Sequence, residues 1–197
     1  MIVSLSESIT KKMITKYNLK EFDEDIYSYG MFMFLSFSIF LLLTVFIGTF
    51  LNCLIESLVF YFSFQSLRKY CGGYHADTSV KCEIITTIIC ILSVLSIKAV
   101  KLWEMVNPFF TIAILFSVII FILAPVDTYK NPLSNQEKKS FGKIGRIILL
   151  VMLSIISVTF VFEISLIVIP CCVSIVLEGV LLVAGKIKNS KRKIDIE

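Results

Sequence analysis

Residues 26–69 decide the fold of this chain, and they read IYSYGMFMFLSFSIFLLLTVFIGTFLNCLIESLVFYFSFQSLRK. One transmembrane helix needs about 20 predominantly apolar residues, so this stretch is too long for a single span and suits two. Gly48 and Asn52 interrupt the apolar run near its middle. The sequence therefore predicts two spans, at roughly 26–47 and 50–69, with a turn close to these two residues.

The composition of the whole chain is typical of a membrane protein. Hydrophobic residues make up 57% of the 197 residues and charged residues only 17%, a balance that excludes an ordinary soluble domain. Further apolar stretches predict spans at roughly 82–100, 104–124, 145–162 and 165–185. We therefore expect an all-α integral membrane bundle of six transmembrane helices, organised as one polytopic domain over residues 1–197.

The two ends of the chain are more polar than the spans. Within residues 1–25, apolar side chains recur every four residues at Leu5, Ile9, Met13 and Tyr17. This pattern predicts an amphipathic helix, which either lies in the membrane interface or packs on the bundle as an ordinary cytoplasmic helix. Residues 186–197 are expected to form a basic cytoplasmic tail.

The distribution of Lys and Arg predicts the orientation of the spans, because cytoplasmic loops carry an excess of these residues. With six spans and the N-terminus inside, all but two of the 19 basic residues fall on the cytoplasmic side, the exceptions being Lys98 and Lys101. Treating residues 26–69 as a single span gives a weaker asymmetry. We therefore expect both termini and the loop between the second and third spans to be cytoplasmic.

That loop contains the most informative motif of the chain. Residues 68–82 read RKYCGGYHADTSVKC, and His75 is the only histidine in the sequence. A thiol becomes a good nucleophile once it loses its proton, and a neighbouring imidazole commonly removes it. The Gly72-Gly73 pair frees the backbone just before His75. We therefore predict that His75 and Cys82 are the catalytic pair of a thiol enzyme at the bilayer surface.

The spacing of this pair favours one local structure. In an unbroken helix the Cα atoms of His75 and Cys82 would lie about 10.5 Å apart, too far for an easy hydrogen bond. A helix capped by Asp77 or Thr78 leaves His75 in the preceding loop, free to fold back. Cys82 then lies in the first turns of that helix, where the helix dipole and Lys81 favour the thiolate.

The other cysteines have different predicted roles. A zinc site made of Cys71, His75 and Cys82 is an alternative, since both residue types bind zinc, but it lacks a fourth conventional ligand. No cofactor is therefore expected. The remaining cysteines are predicted to be small buried hydrophobes: Cys53, Cys90, Cys171 and Cys172.

Two acidic residues fall within predicted spans, where ionisable groups are costly and commonly functional. They are Glu56 in the second span and Glu178 in the sixth. We expect them either to line a path for a peptide or to pair with basic residues across the bundle.

Several of these residues together resemble a known signature. The pattern Arg68-x4-Gly73-x-His75-x6-Cys82 looks like that of the AgrB family (accessory gene regulator B), integral-membrane cysteine endopeptidases of Gram-positive quorum-sensing systems. The length, the six-span pattern and the amphipathic N-terminus agree with that family, as does the string Pro125-x5-Asn131-Pro132-Leu133. Tyr74 is bulkier than expected beside the histidine.

The resemblance implies a reaction and partners. AgrB-like proteins remove the acidic tail of a small AgrD-type pro-peptide and hold its signal segment as an acyl thioester. An internal Cys or Ser of the peptide then closes a cyclic thiolactone or lactone. The partners implied are this pro-peptide and the lipid bilayer, without nucleic acid; a homodimer is compatible with the resemblance, but nothing in the sequence demonstrates one.

The resemblance and the chemistry of the residues suggest roles around His75 and Cys82. We expect Arg68 to hold a peptide carboxylate or a structural carbonyl. Gly72 and Gly73 let the loop turn and would place N–H groups near an oxyanion, and Asp77 orients His75 or caps the helix. The competing hypothesis is a six-helix transporter or a non-enzymatic interaction subunit for a peptide, in which Cys82 has no role.

Overall fold

A computed structural model describes residues 2–17, 24–76, 78–127 and 132–194. Within these ranges the chain is all-α, as predicted. Its helices, in chain order, are α1 (Ile2–Tyr17), α2 (Glu24–Phe50), α3 (Leu54–Cys71), α4 (Ser79–Leu102), α5 (Val106–Leu123), α6 (Asn135–Val161) and α7 (Ser165–Ile194).

The six predicted spans correspond to α2–α7, with three differences in their bounds. α6 begins at Asn135, about ten residues before the predicted start of the fifth span. The turn after the first span comes later than predicted, since α2 continues to Phe50 and Asn52 adopts a positive φ of 54° before α3 begins. At the other end of the chain, the segment predicted as a basic tail from residue 186 is helical as far as Ile194. Continuing α7 in this way carries Lys188 alongside the loop after α3.

Among the described residues, α2, α4, α5, α6 and α7 are long and apolar enough to cross a membrane, which makes the chain a multi-pass membrane protein. α3 is less apolar, and it packs against α2, α6 and α7. Its polar residues Glu56 and Ser57 are buried inside the bundle, where they face protein.

Contacts at the two ends of α3 show that it runs the length of the bundle. In its first turn, Glu56 pairs with Lys101 in the last turn of α4. Just beyond its other end, Gly72 pairs with Val126, which follows α5. Successive helices from α3 to α5 are therefore antiparallel, and the loops after α3 and α5 meet at one end of the molecule.

α7 is the central helix of the bundle. About two thirds of its apolar span is buried (67%), against 11–22% for the other four apolar helices. It packs mainly against α3 and α5. The apolar part of α7 is therefore the most enclosed of the five apolar helices.

α1 packs against α2, but not through the predicted stripe. Ile2, Ser6 and Thr10 are the buried residues, whereas Leu5 is 49% and Met13 37% exposed. The helix therefore docks on the bundle through a narrow, partly polar seam. Leu5 and Met13, two members of the predicted stripe, stay exposed, as an interfacial helix requires.

Candidate active site

The loop after α3 depends on its two glycines. Gly72 and Gly73 have φ values of +74° and +113°, a region that side-chain-bearing residues rarely adopt. Space excludes side chains as well: a Cβ on Gly72 would lie 2.2 Å from the Val126 carbonyl oxygen, and one on Gly73 would lie 2.5 Å from the Arg68 Nη1. The turn that presents His75 therefore requires glycine at both positions.

The N–H groups of these glycines are already engaged. Gly72 donates to the Arg68 carbonyl at 3.1 Å, and Gly73 donates to the Val126 carbonyl at 3.0 Å. The expectation that they face an oxyanion is therefore wrong for this arrangement. Instead they fasten the loop to the end of α3 and to the segment after α5, where Val126 returns a hydrogen bond to the Cys71 carbonyl at 2.9 Å.

Arg68 holds the loop from inside the bundle. Its guanidinium donates to the carbonyl oxygens of Gly72 and Tyr74. Of the two roles expected for this residue, the structure contains the contact with structural carbonyls. The planar fork of Arg suits this bridging position, which a Lys could not fill in the same way. The Arg68 Nη1 also lies 4.0 Å from a carboxylate oxygen of Glu178 on α7.

The C-terminal part of α7 supports the other side of the loop. The Leu181 carbonyl accepts from the Tyr74 N–H at 2.9 Å, and the Lys188 Nζ donates to the His75 carbonyl at 2.8 Å. Lys188 also lies over the Tyr74 ring, 4.9 Å from its centroid. Gly185 permits this approach, because a Cβ there would lie 2.6 Å from the Gly73 carbonyl carbon.

Sequence reasoning missed these contributions from α7. In the sequence, Lys188 indicates only one more of the basic charges that set the topology. The one local signal was Gly185, since a glycine inside an apolar helix often marks the close approach of another segment. Nothing in the sequence identifies the approaching segment, which lies more than a hundred positions earlier in the chain.

The start of α4 positions Cys82. The Thr78 side chain accepts a hydrogen bond from the Lys81 N–H at 3.3 Å, so the predicted cap at this residue is confirmed. Asp77, the other predicted cap and possible partner of His75, lies outside the described residues. Cys82 is in the first turn of α4, with its N–H bonded to the Thr78 carbonyl at 3.0 Å.

The two predicted catalytic residues thus lie on either side of the Thr78 cap. His75 is on the exposed loop, and Cys82 is partly exposed at the helix start. Among the described residues, no hydrogen bond joins the His75 imidazole to the Cys82 thiol. Their catalytic roles therefore stay predictions, because the structure shows where the two side chains lie but contains no hydrogen bond between them.

The surroundings of His75 favour the neutral imidazole. Desolvation, the Arg68 guanidinium and the Lys188 ammonium together lower the pKa of His75 to about 4. Each of these effects disfavours the positively charged imidazolium form of the ring. At neutral pH the imidazole is therefore uncharged and able to accept a proton.

Burial separates Cys82 from the other cysteines. Of the six, all of which the structure describes, the other five are buried and Cys82 is the one partly exposed. Cys71 packs against α6, where a Cβ on Gly145 would lie 3.1 Å from its sulfur. No group of three His, Cys, Asp or Glu side chains with metal-binding geometry occurs in the described part of the chain. The zinc alternative therefore has no cluster to support it.

A second loop lies beside the first. The Asp127 carboxylate pairs with Lys138 at 2.9 Å and accepts from the Leu133 N–H at 3.3 Å. Its carbonyl accepts from the Asn189 side chain on α7 at 2.7 Å. These bonds tie the segment after α5 to α6 and α7, which in turn supports the Val126 contact with the glycine loop. Asn131, part of the second resemblance string, lies outside the described residues.

The two intramembrane acids each pair with a basic residue, but at opposite ends of α3. Glu56 accepts a hydrogen bond from the Lys101 Nζ at 2.5 Å, far from the His75 loop. Glu178 faces Arg68 and lies next to the loop. Of the two roles expected for these acids, the structure contains the pairing with basic residues across the bundle.

Comparison with known proteins shows which family the sequence of this chain matches. Residues 6–182 match the family described as AgrB, accessory gene regulator B. A putative AgrB-like protein of Clostridium perfringens strain SM101 is 30% identical over 153 residues, covering 74% of this chain and 70% of that protein. A putative AgrB-like protein 2 of strain 13 is 28% identical over 166 residues, covering 80% and 76%.

No solved structure shows a significant match. The family match extends over nearly the whole chain and includes every residue of the glycine loop, the start of α4 and the acidic residue of α7 described above. The chain therefore belongs to the AgrB family.

Proposed function

We propose that this chain is a membrane cysteine endopeptidase that removes the C-terminal tail of an AgrD-like pro-peptide and releases a cyclic thiolactone or lactone. The observation that carries the proposal is the placement of the only histidine and the only partly exposed cysteine on either side of one helix cap. Family membership supplies the substrate class.

The first half of the reaction cleaves the peptide bond before the tail. A neutral His75 takes the proton of the Cys82 thiol, and the sulfur attacks the carbonyl carbon of that bond. The C–N bond then breaks, and His75 returns the proton to the leaving amine. This leaves the signal segment attached to Cys82 as a thioester. The imidazole must come within hydrogen-bond reach of the thiol when substrate is bound.

The second half closes the ring. An internal Cys or Ser of the peptide attacks the thioester carbonyl and gives up its proton, while Cys82 leaves as the thiolate and is reprotonated. The tethered nucleophile competes well with water because its effective concentration is high. Limited access of water to a thioester beside lipid and protein favours the same outcome.

The charge distribution supports the substrate class and an orientation. Basic residues cluster at the loop end of the bundle and would attract an acidic tail; the described ones include Arg68, Lys69, Lys81, Lys138 and Lys188. By the excess of positive charge on cytoplasmic segments, this end and both termini face the cytoplasm, where the pro-peptide is made.

The test uses the purified chain in liposomes with an AgrD-like pro-peptide, and tail release is read by mass spectrometry. Cys82→Ala, Cys82→Ser and His75→Ala should each abolish release while the protein still inserts, because a hydroxyl in place of the thiol is a much weaker nucleophile. Cys71→Ala is the matched thiol control and should retain activity, and chelators should have no effect. Release by Cys82→Ala at the unmodified rate would contradict the proposed role of Cys82, and no release by the unmodified chain would favour a transporter or interaction subunit.

A further inference from the structure

Glu178 is an unusual buried group that the proposed reaction does not use. It is fully buried in α7, and among the described residues neither of its carboxylate oxygens has a hydrogen-bond partner. A buried carboxylate without partners is costly in a protein interior. Such a group inside a membrane helix therefore calls for an explanation in terms of function.

The group that Glu178 faces is Arg68. The Nη1 of Arg68 lies 4.0 Å from the Glu178 Oε2, and the Arg68 side chain is itself only 18% exposed. A guanidinium held this far inside the bundle needs a compensating negative charge. Glu178 supplies that charge from α7, while the N–H groups of Arg68 remain engaged with the Gly72 and Tyr74 carbonyls.

The face of α7 that carries Glu178 also carries the loop contacts. Leu181, Gly185 and Lys188 follow Glu178 at three, seven and ten positions, the spacing of residues along one face of a helix. Leu181 accepts from the Tyr74 N–H, Gly185 lies against Gly73, and Lys188 donates to the His75 carbonyl. One side of α7 thus contacts the loop directly. It also supports the loop indirectly, because Glu178 faces Arg68 and Arg68 binds the loop.

We propose that Glu178 is a positioning residue: its carboxylate holds the Arg68 guanidinium against the Gly72 and Tyr74 carbonyls, and this fixes His75 relative to Cys82. The inference rests on the proposed function for its kinetic consequence, but its structural part does not depend on that function. Removing the carboxylate releases the guanidinium from its position and loosens the turn that presents His75.

The kinetic test compares Glu178→Gln with Glu56→Gln, which removes a buried carboxylate in the first turn of α3, at the opposite end of the bundle. Glu178→Gln should lower kcat for tail release by about 10- to 100-fold, since small misplacements of a catalytic group have effects of this size. Its KM should change by less than about twofold, because Glu178 is fully buried and the proposal gives it no contact with the pro-peptide. Glu56→Gln should leave both constants within about twofold of the unmodified protein.

A double variant shows whether Glu178 acts through Arg68. If it does, Arg68→Gln should lower kcat at least as much as Glu178→Gln, and the two changes together should be no worse than Arg68→Gln alone. Fully multiplicative losses would overturn the proposal, because they would mean that the carboxylate acts independently of the guanidinium.

Hydrogen–deuterium exchange tests the structural part without any catalysis. In liposomes, residues 72–76 of Glu178→Gln and of Arg68→Gln should exchange at least about tenfold faster than in the unmodified protein, while the middle of α3 and of α7 should keep its protection. Unchanged exchange of the loop would overturn the proposal. This readout stays decisive even if Cys82→Ala proves active and the proposed function fails.

A further variant covers the case in which Glu178→Gln does not insert. Glu178→Asp keeps the charge but retracts it from Arg68, so the loop should exchange faster and kcat should fall, both by less than in Arg68→Gln. Unmodified exchange and kcat in Glu178→Asp would overturn the proposal in that case.

Discussion

The two ends of α3 place a similar pair of charges in different settings. At one end, Glu56 and Lys101 form a direct contact of 2.5 Å, and the Lys101 side chain is 52% exposed. At the other end, Arg68 and Glu178 are 4.0 Å apart and both largely enclosed. Arg68 also binds two carbonyls of the glycine loop. The first pair ties two helices together, whereas the second supports the loop that carries His75, a predicted catalytic residue.

This comparison separates stabilising polar groups from those that shape the candidate site. An ion pair with one exposed partner, such as Glu56 and Lys101, contributes modestly to stability and can be replaced. An enclosed guanidinium that bridges backbone carbonyls fixes the position of every residue in the turn. Changes at the loop end should therefore affect catalysis, and changes at the opposite end should affect stability alone.

The largest effect is expected from Gly73→Ala. Its positive φ and the 2.5 Å approach of the Arg68 Nη1 leave no room for a methyl group, so the loop must move. We expect tail release to fall by about 100-fold with membrane insertion intact, as measured by peptide cleavage in liposomes. Gly30→Ala is the matched control, because nothing lies within 4 Å of a Cβ there. Equal activities of the two variants would contradict the claim that the glycine loop affects catalysis more than the rest of the bundle does.

A second prediction concerns the charge on His75. Because the chain has one histidine, selective isotope labelling with a histidine-free purification tag gives a single imidazole NMR signal. It should titrate near pH 4, so the ring stays neutral between pH 4 and the ordinary value of about 6.5. Lys188→Met should move the midpoint upward, since it removes a positive neighbour, and Lys186→Met is the control of equal charge. A midpoint near 6.5 in the unmodified protein would contradict this account of the site.

The smallest effect is expected at the opposite end of α3. Glu56→Gln should lower the free energy of unfolding by on the order of 1 kcal/mol, because a half-exposed ion pair lies between the surface and buried limits. Thermal denaturation in detergent would measure the loss, and tail release at a permissive temperature should stay within about twofold. A large loss of activity without a loss of stability would show that Glu56 belongs to the reaction.

Local sequence patterns predicted much of the fold and part of the site. The length of the apolar stretches predicted the helical bundle. Thr78 was a foreseeable cap, because its hydroxyl lies three residues before the Lys81 N–H from which it accepts a hydrogen bond. The support of the loop was not predictable in this way. Val126, Leu181 and Lys188 reach it through tertiary contacts between distant segments, and a single sequence carries no signal for such pairs.

The same limit explains two differences in the predicted elements. α3 reads as an ordinary span, yet its polar residues face neighbouring helices, and only packing determines that direction. The stripe predicted on α1 is apolar, yet the helix docks through Ile2, Ser6 and Thr10. In both cases the sequence gives the periodicity of the side chains, whereas the neighbouring helix decides which face is covered.

The most direct test of the central claim is a search for the acyl-enzyme on Cys82. A pro-peptide whose internal Cys or Ser is replaced by Ala cannot close the ring, so the signal segment should remain on the enzyme after the tail has left. Intact-mass analysis of rapidly quenched liposome reactions should then show a hydroxylamine-sensitive adduct, absent in Cys82→Ala. Full multiple-turnover release of the tail from the Ala peptide, with no adduct, would contradict the acyl-transfer mechanism and indicate simple hydrolysis.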